Sequence, residues 1–197
     1  MFNNLQKKSG FSLIEVMVAI SILLVMSFIS SDYVKTVFRS SKFNDEQQTA
    51  IHNARRAIGI MNKEVRGANS SEMGDYTLFN INDDDFGFYS DIDNDGETEK
   101  IRYYLDNINY KLLKSVTEPG LPGNYSETEK ITTIANFVNN REEAIFLYYD
   151  GTGTETNTIN EIRLIKTILK VNVTPWRSPN DYYVESSINL RNLKDNL

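Results

Sequence analysis

KKSGFSLIEVMVAISILLVMSFI, residues 7–29, sets two lysines and a Ser9-Gly10 break ahead of nineteen residues, Phe11 to Ile29, whose single charge is Glu15. At about 1.5 Å per residue that run approaches the ~30 Å hydrocarbon core of a bilayer. An ionised carboxylate near the start of a span costs a few kcal/mol even on the lenient insertion scale, so Glu15 reads as functional.

Two ordinary explanations of the segment fall short. A secretory signal peptide carries a small-residue cleavage site after its apolar run, whereas Val25-Met26-Ser27-Phe28-Ile29-Ser30 offers bulky Phe28 and Ile29 there. A generic signal anchor explains the length and the positive flank but neither Glu15 nor the Gly10-Phe11 junction.

Lys7-Lys8-Ser9-Gly10-Phe11-Ser12-Leu13-Ile14-Glu15-Val16 resembles the class III signal sequence of type IV prepilins and type II secretion pseudopilins. The resemblance implies that a prepilin peptidase cuts after Gly10 on the cytoplasmic face and methylates the new terminus, Phe11. It further implies that Glu15 pairs with the N-terminal amine of a neighbouring subunit during assembly. Such a partner makes a buried carboxylate tolerable, because an opposite charge and hydrogen bonds offset its desolvation.

Four segments are expected: a leader over 1–10, a transmembrane and assembly segment over 11–30, an amphipathic segment over 31–67 and a β-rich head over 68–197. Between Ser31 and Gly67, Ala50, Ile51, Ala54, Ile58, Met61 and Val65 recur at helical intervals, with Arg55, Arg56, Asn62, Lys63 and Arg66 mostly elsewhere. The pattern predicts one helix from Phe11 to Arg66, on the order of 80 Å long, with Gly67 as its stop. Its first half belongs in lipid or among other subunits, and the apolar stripe of its second half belongs under a sheet.

Strand signals begin at Tyr76. Phe86 and Phe88 alternate, as do Ile101, Tyr103 and Leu105; Asn107-Ile108-Asn109 then makes a turn before Tyr110, Leu112 and Val116. Residues 118–124 (EPGLPGN) form a loop, and 131–139 read as a short helix or an irregular element. Further strands are expected over 144–149, 162–173 and 183–190, the last with Val184, Ser186, Ile188 and Leu190 on one face. GTGTETNTIN, 151–160, reads as an exposed hairpin loop. The whole is an α+β fold, a long N-terminal helix packed under an antiparallel sheet, as in pilins. The stretches 99–105 and 186–193 also resemble strands of PilW-type minor pilins and J-type minor pseudopilins.

The formal net charge is −6, and removing Lys7 and Lys8 with the leader leaves 19 basic against 27 acidic side chains, or −8. Such a chain presents no basic footprint to phosphates, so no nucleic acid partner is expected for this subunit alone. With no cysteine there is no disulfide staple and no thiolate metal site. Many major pilins close a C-terminal loop with a disulfide, so this departure favours a minor subunit. His52, the single histidine, sits on a helix flank with no nucleophile or metal partner in view and reads as a surface residue.

One segment suggests chemistry of its own. Asp91-Ile92-Asp93-Asn94-Asp95-Gly96-Glu97-Thr98-Glu99 sets carboxylates at alternate positions before a glycine turn, a pattern suited to Ca²⁺ with its roughly six to eight oxygen ligands. Asp91, Asp93 and Asp95 match the first half of an EF-hand loop, and Glu99 stands at the ninth place. Arg102 occupies the twelfth, where a bidentate glutamate belongs, so other oxygens must complete the shell; Asp83, Asp84 and Asp85 are sequence-near candidates. The bland alternative is a solvated acidic hairpin turned by Asn94-Asp95-Gly96. An acid/base pair for hydrolysis is disfavoured, because such pairs need carboxyls in unlike environments. Trp176, in a proline-bounded loop, reads as a cover for the sheet edge, with an exposed interface anchor as the alternative.

The expected function is a non-enzymatic minor pilin of a type IV pilus. The alternatives are a minor pseudopilin of a type II secretion system and a calcium-dependent adhesin head; no cofactor beyond Ca²⁺ is implied. Implied partners are prepilin peptidase, other minor pilins or pseudopilins, the major pilin, the inner-membrane assembly platform and, before assembly, membrane lipid. The implied location is the bacterial inner membrane with the head in the periplasm, followed by the pilus or pseudopilus.

Overall fold

The computed structural model describes residues 10–120, 124–174 and 181–190. It resolves into two compact units, one up to Asp45 and one from Glu46 onward. Helix α1, Leu13–Arg66, contributes to both.

In the first unit every large apolar side chain from Phe11 to Phe38 is exposed. α1 is long and apolar enough near the N-terminus to cross a membrane.

The second unit is the folded head. α1 buries Ala50, Ala54, Ala57, Ile58, Met61 and Val65 there. This is the stripe read from the sequence, with Ala57 added and Ile51 only half-buried. Small residues at 50, 54 and 57 let the helix axis approach the strands, while Ile58 and Met61 supply apolar area at about 25 cal/mol per Å² buried. His52 is exposed, as expected of a helix-flank residue.

Among the described residues eight strands follow: β1 Leu78–Asn82, β2 Asp85–Ser90, β3 Glu99–Asp106, β4 Lys111–Thr117, β5 Lys130–Asn136, β6 Phe146–Tyr149, β7 Leu164–Val171 and β8 Tyr182–Asn189. They make an antiparallel five-stranded meander, β1 to β5 in chain order, and a three-stranded sheet, β6-β7-β8. The α+β expectation therefore holds. The segment 131–139 is corrected: β5 covers most of it and pairs with β4, as in Leu112 opposite Ala135. Its alternating Ile131, Thr133 and Ala135 lack the contrast of a half-buried strand because the first four residues of β5 are all exposed.

Register fixes what faces the helix. Phe86 opposes Tyr103, Phe88 opposes Ile101, Tyr103 opposes Lys114 and Leu105 opposes Leu112. Phe86, Phe88, Ile101, Tyr103 and Leu112 are fully buried. Phe86 stacks on Phe88 with ring centroids 5.2 Å apart and meets Phe146 of the second sheet at 5.5 Å. The sheets also join through backbone. The carbonyl of Asp83 accepts from the N–H groups of Ile145 (2.8 Å) and Phe146 (2.9 Å), and Tyr148 Oη donates to the carbonyl of Asn82 at 2.9 Å. Asn140 completes the junction: Nδ2 donates to the Ile168 carbonyl and Oδ1 accepts from the Lys170 N–H, so a side chain takes the place of a strand.

α1 is tied to the three-stranded sheet and its flank by two side chains. Gln47 donates to the Val171 carbonyl and accepts from the Val173 N–H; Asn62 donates to Ser186 Oγ at 2.8 Å. Val184, Ile188 and Leu190 are buried on the β8 face read from the sequence. The hairpin loop between β6 and β7 is mostly exposed and ends in a 3-10 turn, Ile159–Glu161. Gly67 follows α1 as expected, for a steric reason: a Cβ there would stand 3.1 Å from Ser90 Oγ, which donates to the Glu64 carbonyl in the last turn of α1. Trp176, residues 121–123 of the EPGLPGN loop and the end of the 186–193 stretch lie outside the described residues.

Candidate functional site

Two places carry functional geometry. At the N-terminal end Gly10, Phe11 and Ser12 precede the helix in non-helical backbone, with Phe11 87 % exposed. Nothing lies within 4 Å of where a Gly10 Cβ would be. The Gly10-Phe11 peptide is therefore open on the described side, as a scissile bond requires.

Glu15 is the third residue of α1. Its Oε2 accepts from the backbone N–H of Ser12 at 2.9 Å and from Ser12 Oγ at 3.0 Å, while Ser12 Oγ accepts from the Glu15 N–H at 3.3 Å. This reciprocal arrangement is a capping box, in which Ser at the N-cap and Glu three residues on satisfy orphan donors of the first turn. Its sequence signal, Ser-x-x-Glu ahead of an apolar run, was legible, yet Ser12 was not singled out. The carboxylate also sits where the helix dipole is positive, which favours negative charge.

The second place is the loop joining β2 to β3, beyond the last ladder pair, Ser90 opposite Glu99. Asp91, Asp93, Asp95 and Glu99 each contribute a carboxylate oxygen to a group whose members all lie within 4.8 Å of one another. These are the four residues read from the sequence. Asp91 accepts from the N–H groups of Asn94 (2.6 Å) and Gly96 (3.2 Å), Asp93 from Asp95 N–H (3.2 Å) and Asp95 from Glu97 N–H (2.8 Å). The loop wraps its backbone donors around its own carboxylates. Asn94 at φ 64° and Gly96 at φ 93° turn the chain through the left-handed region, which asparagine and glycine tolerate best.

Glu99 differs from the aspartates. It is 1 % exposed; Oε2 accepts from the Ile92 N–H at 2.8 Å, but Oε1 is buried without a hydrogen-bond partner. Burial pushes its carboxyl above the ordinary range, the Ile92 N–H pulls back, and the negative charges of Asp93 and Glu118 push further up. Two residues absent from the sequence reading hold the loop's far end: Glu72 Oε1 accepts from the Thr98 N–H at 2.8 Å, and Tyr125 Oη donates to the Thr98 carbonyl at 2.7 Å. No sequence signal marks them, because both contacts come from distant segments.

The expectation for Asp83, Asp84 and Asp85 is corrected. They lie at the opposite end of β2, and Asp85 is engaged by Arg102 in a two-pronged pair, Nε to Oδ1 at 2.7 Å and Nη2 to Oδ2 at 2.6 Å. Arg102 is thus occupied on β2 rather than standing in for a twelfth ligand. Sequence adjacency misled because a six-residue strand separates the two acidic groups.

Among known proteins, residues 5–31 match the family model described as the prokaryotic N-terminal methylation motif. No curated protein and no solved structure matches the chain. The matched segment contains the exposed Gly10-Phe11 junction, the Ser12 cap and Glu15. Proteins with this motif are structural subunits, processed by prepilin peptidase and assembled with other pilins, and the apolar start of α1 fits anchoring in the inner membrane before incorporation into a pilus. A methylation motif opening an apolar helix, carried by a chain with an antiparallel β head, supports a type IV prepilin-like protein, of the pilin or pseudopilin kind.

Proposed function

We propose that this chain is a minor pilin of a type IV pilus, a non-catalytic subunit that takes part in starting or extending the filament. The observation that carries the reading is Glu15 at the third helical position, following an open Gly10-Phe11 peptide inside the matched methylation motif. Prepilin peptidase cleaves after Gly10 and methylates Phe11. The apolar stretch Phe11 to Ile29 then holds the subunit in the inner membrane, with the acidic head in the periplasm, until the assembly platform feeds it to other minor pilins and the major pilin.

The capping box gives Glu15 hydrogen bonds within its own chain, which lowers the cost of a carboxylate in the membrane before assembly. In the filament a neighbour's methylated amine supplies the counter-charge. Exchange of local hydrogen bonds for an intersubunit ion pair is favourable in a low-dielectric surrounding, where unit charges interact more strongly than in water. The lack of cysteines supports a minor rather than a major subunit.

The test is intact mass and N-terminal analysis of the protein from native membranes and from sheared filaments. The proposal expects a chain that begins at N-methylated Phe11 and is present in both fractions. A chain still carrying residues 1–10 would return the protein to an anchored periplasmic domain. A processed chain absent from pili but required for export of a secreted enzyme would move it to the pseudopilins.

A further inference from the structure

We propose that the β2–β3 loop binds one Ca²⁺ ion, with carboxylate oxygens of Asp91, Asp93, Asp95 and Glu99 as its protein ligands. The inference concerns the head and does not rest on the pilin reading.

Four carboxylates gathered within 4.8 Å of one another repel strongly, and the loop sequence from Asp91 to Glu99 contains no basic residue. The nearest cations along β3 point elsewhere: Lys100 lies over the Phe79 ring at 4.6 Å, and Arg102 is held by Asp85. Asp93 and Asp95, both exposed, tolerate such crowding by hydration. Glu99 cannot, because it is 1 % exposed and its Oε1 has no hydrogen-bond partner. A buried, unpartnered carboxylate oxygen is costly unless a cation or donor meets it, and the three aspartate oxygens beside Glu99 exclude an anion or an acceptor. The group that satisfies all four at once is a cation.

The donor set narrows its identity. Oxygen ligands alone, with no histidine or cysteine, select a hard ion over Zn²⁺ or Cu²⁺. Ca²⁺–oxygen distances of about 2.3–2.6 Å put opposed ligands about 4.6–5.2 Å apart, which accommodates the observed spread, whereas Mg²⁺ at about 2.0–2.1 Å would require the oxygens to close to about 4.2 Å. The hydrogen bonds from Asn94, Asp95, Gly96 and Glu97 already orient the aspartates, so little ordering remains to be done on binding. Waters and loop carbonyls would fill the rest of the shell.

The test is isothermal titration of the full-length protein in detergent micelles, stripped with chelator, against calcium chloride and magnesium chloride. We expect one Ca²⁺ per chain with a dissociation constant of about 10⁻³ M or tighter, as for extracellular sites, and much weaker Mg²⁺ binding. Asp93→Asn, at an exposed position where the amide oxygen can still accept from the Asp95 N–H, should weaken Ca²⁺ by about tenfold or more, since ligand charge sets affinity. Glu99→Gln should do the same, and Asp83→Asn, beyond the other end of β2, should change nothing. Absence of saturable heat up to about 10 mM Ca²⁺, ten times the weakest expected constant, would overturn the proposal. So would equal Ca²⁺ binding in the wild type and Asp93→Asn, or Mg²⁺ binding as tight as Ca²⁺. Each of these outcomes leaves the processing test on Phe11 untouched.

Discussion

Glu64 on α1 and Lys114 on β4, fifty positions apart in sequence, meet at 2.6 Å with side chains only 12 % and 13 % exposed. Tyr103, directly opposite Lys114 in the β3–β4 register, donates its hydroxyl to the other oxygen of the same carboxylate. The last turns of α1 are thereby fixed over one register of the sheet. Removing one partner strands the other in a site with little water, so Lys114→Met alone should cost about 3 kcal/mol or more. Replacing the whole cluster, as in Glu64→Leu and Lys114→Met with Tyr103→Phe so that no buried hydroxyl loses its acceptor, should recover most of that loss, because apolar groups of similar volume do as well as buried ion pairs. Thermal unfolding of the single and the triple variant beside the wild type, followed by near-ultraviolet circular dichroism, checks the order; a triple variant no better than Lys114→Met would refute the pairing argument.

Tyr103 also makes a prediction about alkali. Burial, the Glu64 charge and the hydrogen bond to Glu64 raise its hydroxyl far above the usual tyrosine range, and burial with the carboxylates of Asp83, Asp85 and Asp84 does the same for Tyr148. A group whose acid form the folded state favours binds more protons folded than unfolded above the unfolded pKa of about 10. Stability is therefore unaffected below that pH and falls as pH rises through it. In an ultraviolet difference titration Tyr103 and Tyr148 should ionise only as the head unfolds, well above the usual tyrosine range. Complete ionisation of all tyrosines in a single reversible step, with the fold intact, would contradict the burial of these two.

The features legible in the sequence were those carried by local pattern. The Gly10-Phe11 junction, Glu15 and the apolar run are contiguous, and a period of 3.6 marks Ala54, Ile58, Met61 and Val65 as one face. The four ligand candidates were legible for the same reason: alternate aspartates before a glycine describe a turn within nine residues. What escaped depends on partners distant in the chain. Glu64 looks like a solvated helix residue until β3 and β4 bring Tyr103 and Lys114 to it. Asp85 looks like part of an acidic cluster until Arg102 claims it from the neighbouring strand. β5 was ambiguous because Ile131 and Thr133 are exposed on a sheet edge, where burial imposes no alternation.

Gly87 illustrates a contact between neighbouring strands. A Cβ there would overlap the ring of Phe79, which lies across β2 beneath the Lys100 ammonium and 5.1 Å from the Tyr89 ring. Gly87→Ala should therefore destabilise the head by about 1–3 kcal/mol, the usual cost of overpacking. Adding Phe79→Leu should return part of the loss by vacating the space, although it also removes the ring contacts. Urea denaturation midpoints decide the matter, and a Gly87→Ala protein as stable as the wild type would mean that Phe79 moves aside at no cost.

Ser12 and Glu15 separate two roles that a single substitution would confuse. Ser12→Ala removes the hydroxyl that both donates to Glu15 and accepts from its N–H, so it should weaken the first turn of the helix by about 1 kcal/mol while leaving the carboxylate available to a neighbour. Glu15→Ala removes the local cap and the intersubunit charge together. Membrane insertion should be normal in Ser12→Ala and normal or improved in Glu15→Ala, because the latter deletes an expensive charge from the span. Incorporation should divide them: Ser12→Ala should still reach sheared filaments, and Glu15→Ala should accumulate in the membrane, processed but unassembled. Glu15→Asp, which keeps the charge but shortens its reach, should fall between the two. If Ser12→Ala and Glu15→Ala fail to assemble to the same degree, the capping box itself is what assembly requires, and the carboxylate acts by shaping the helix start rather than by meeting an amine.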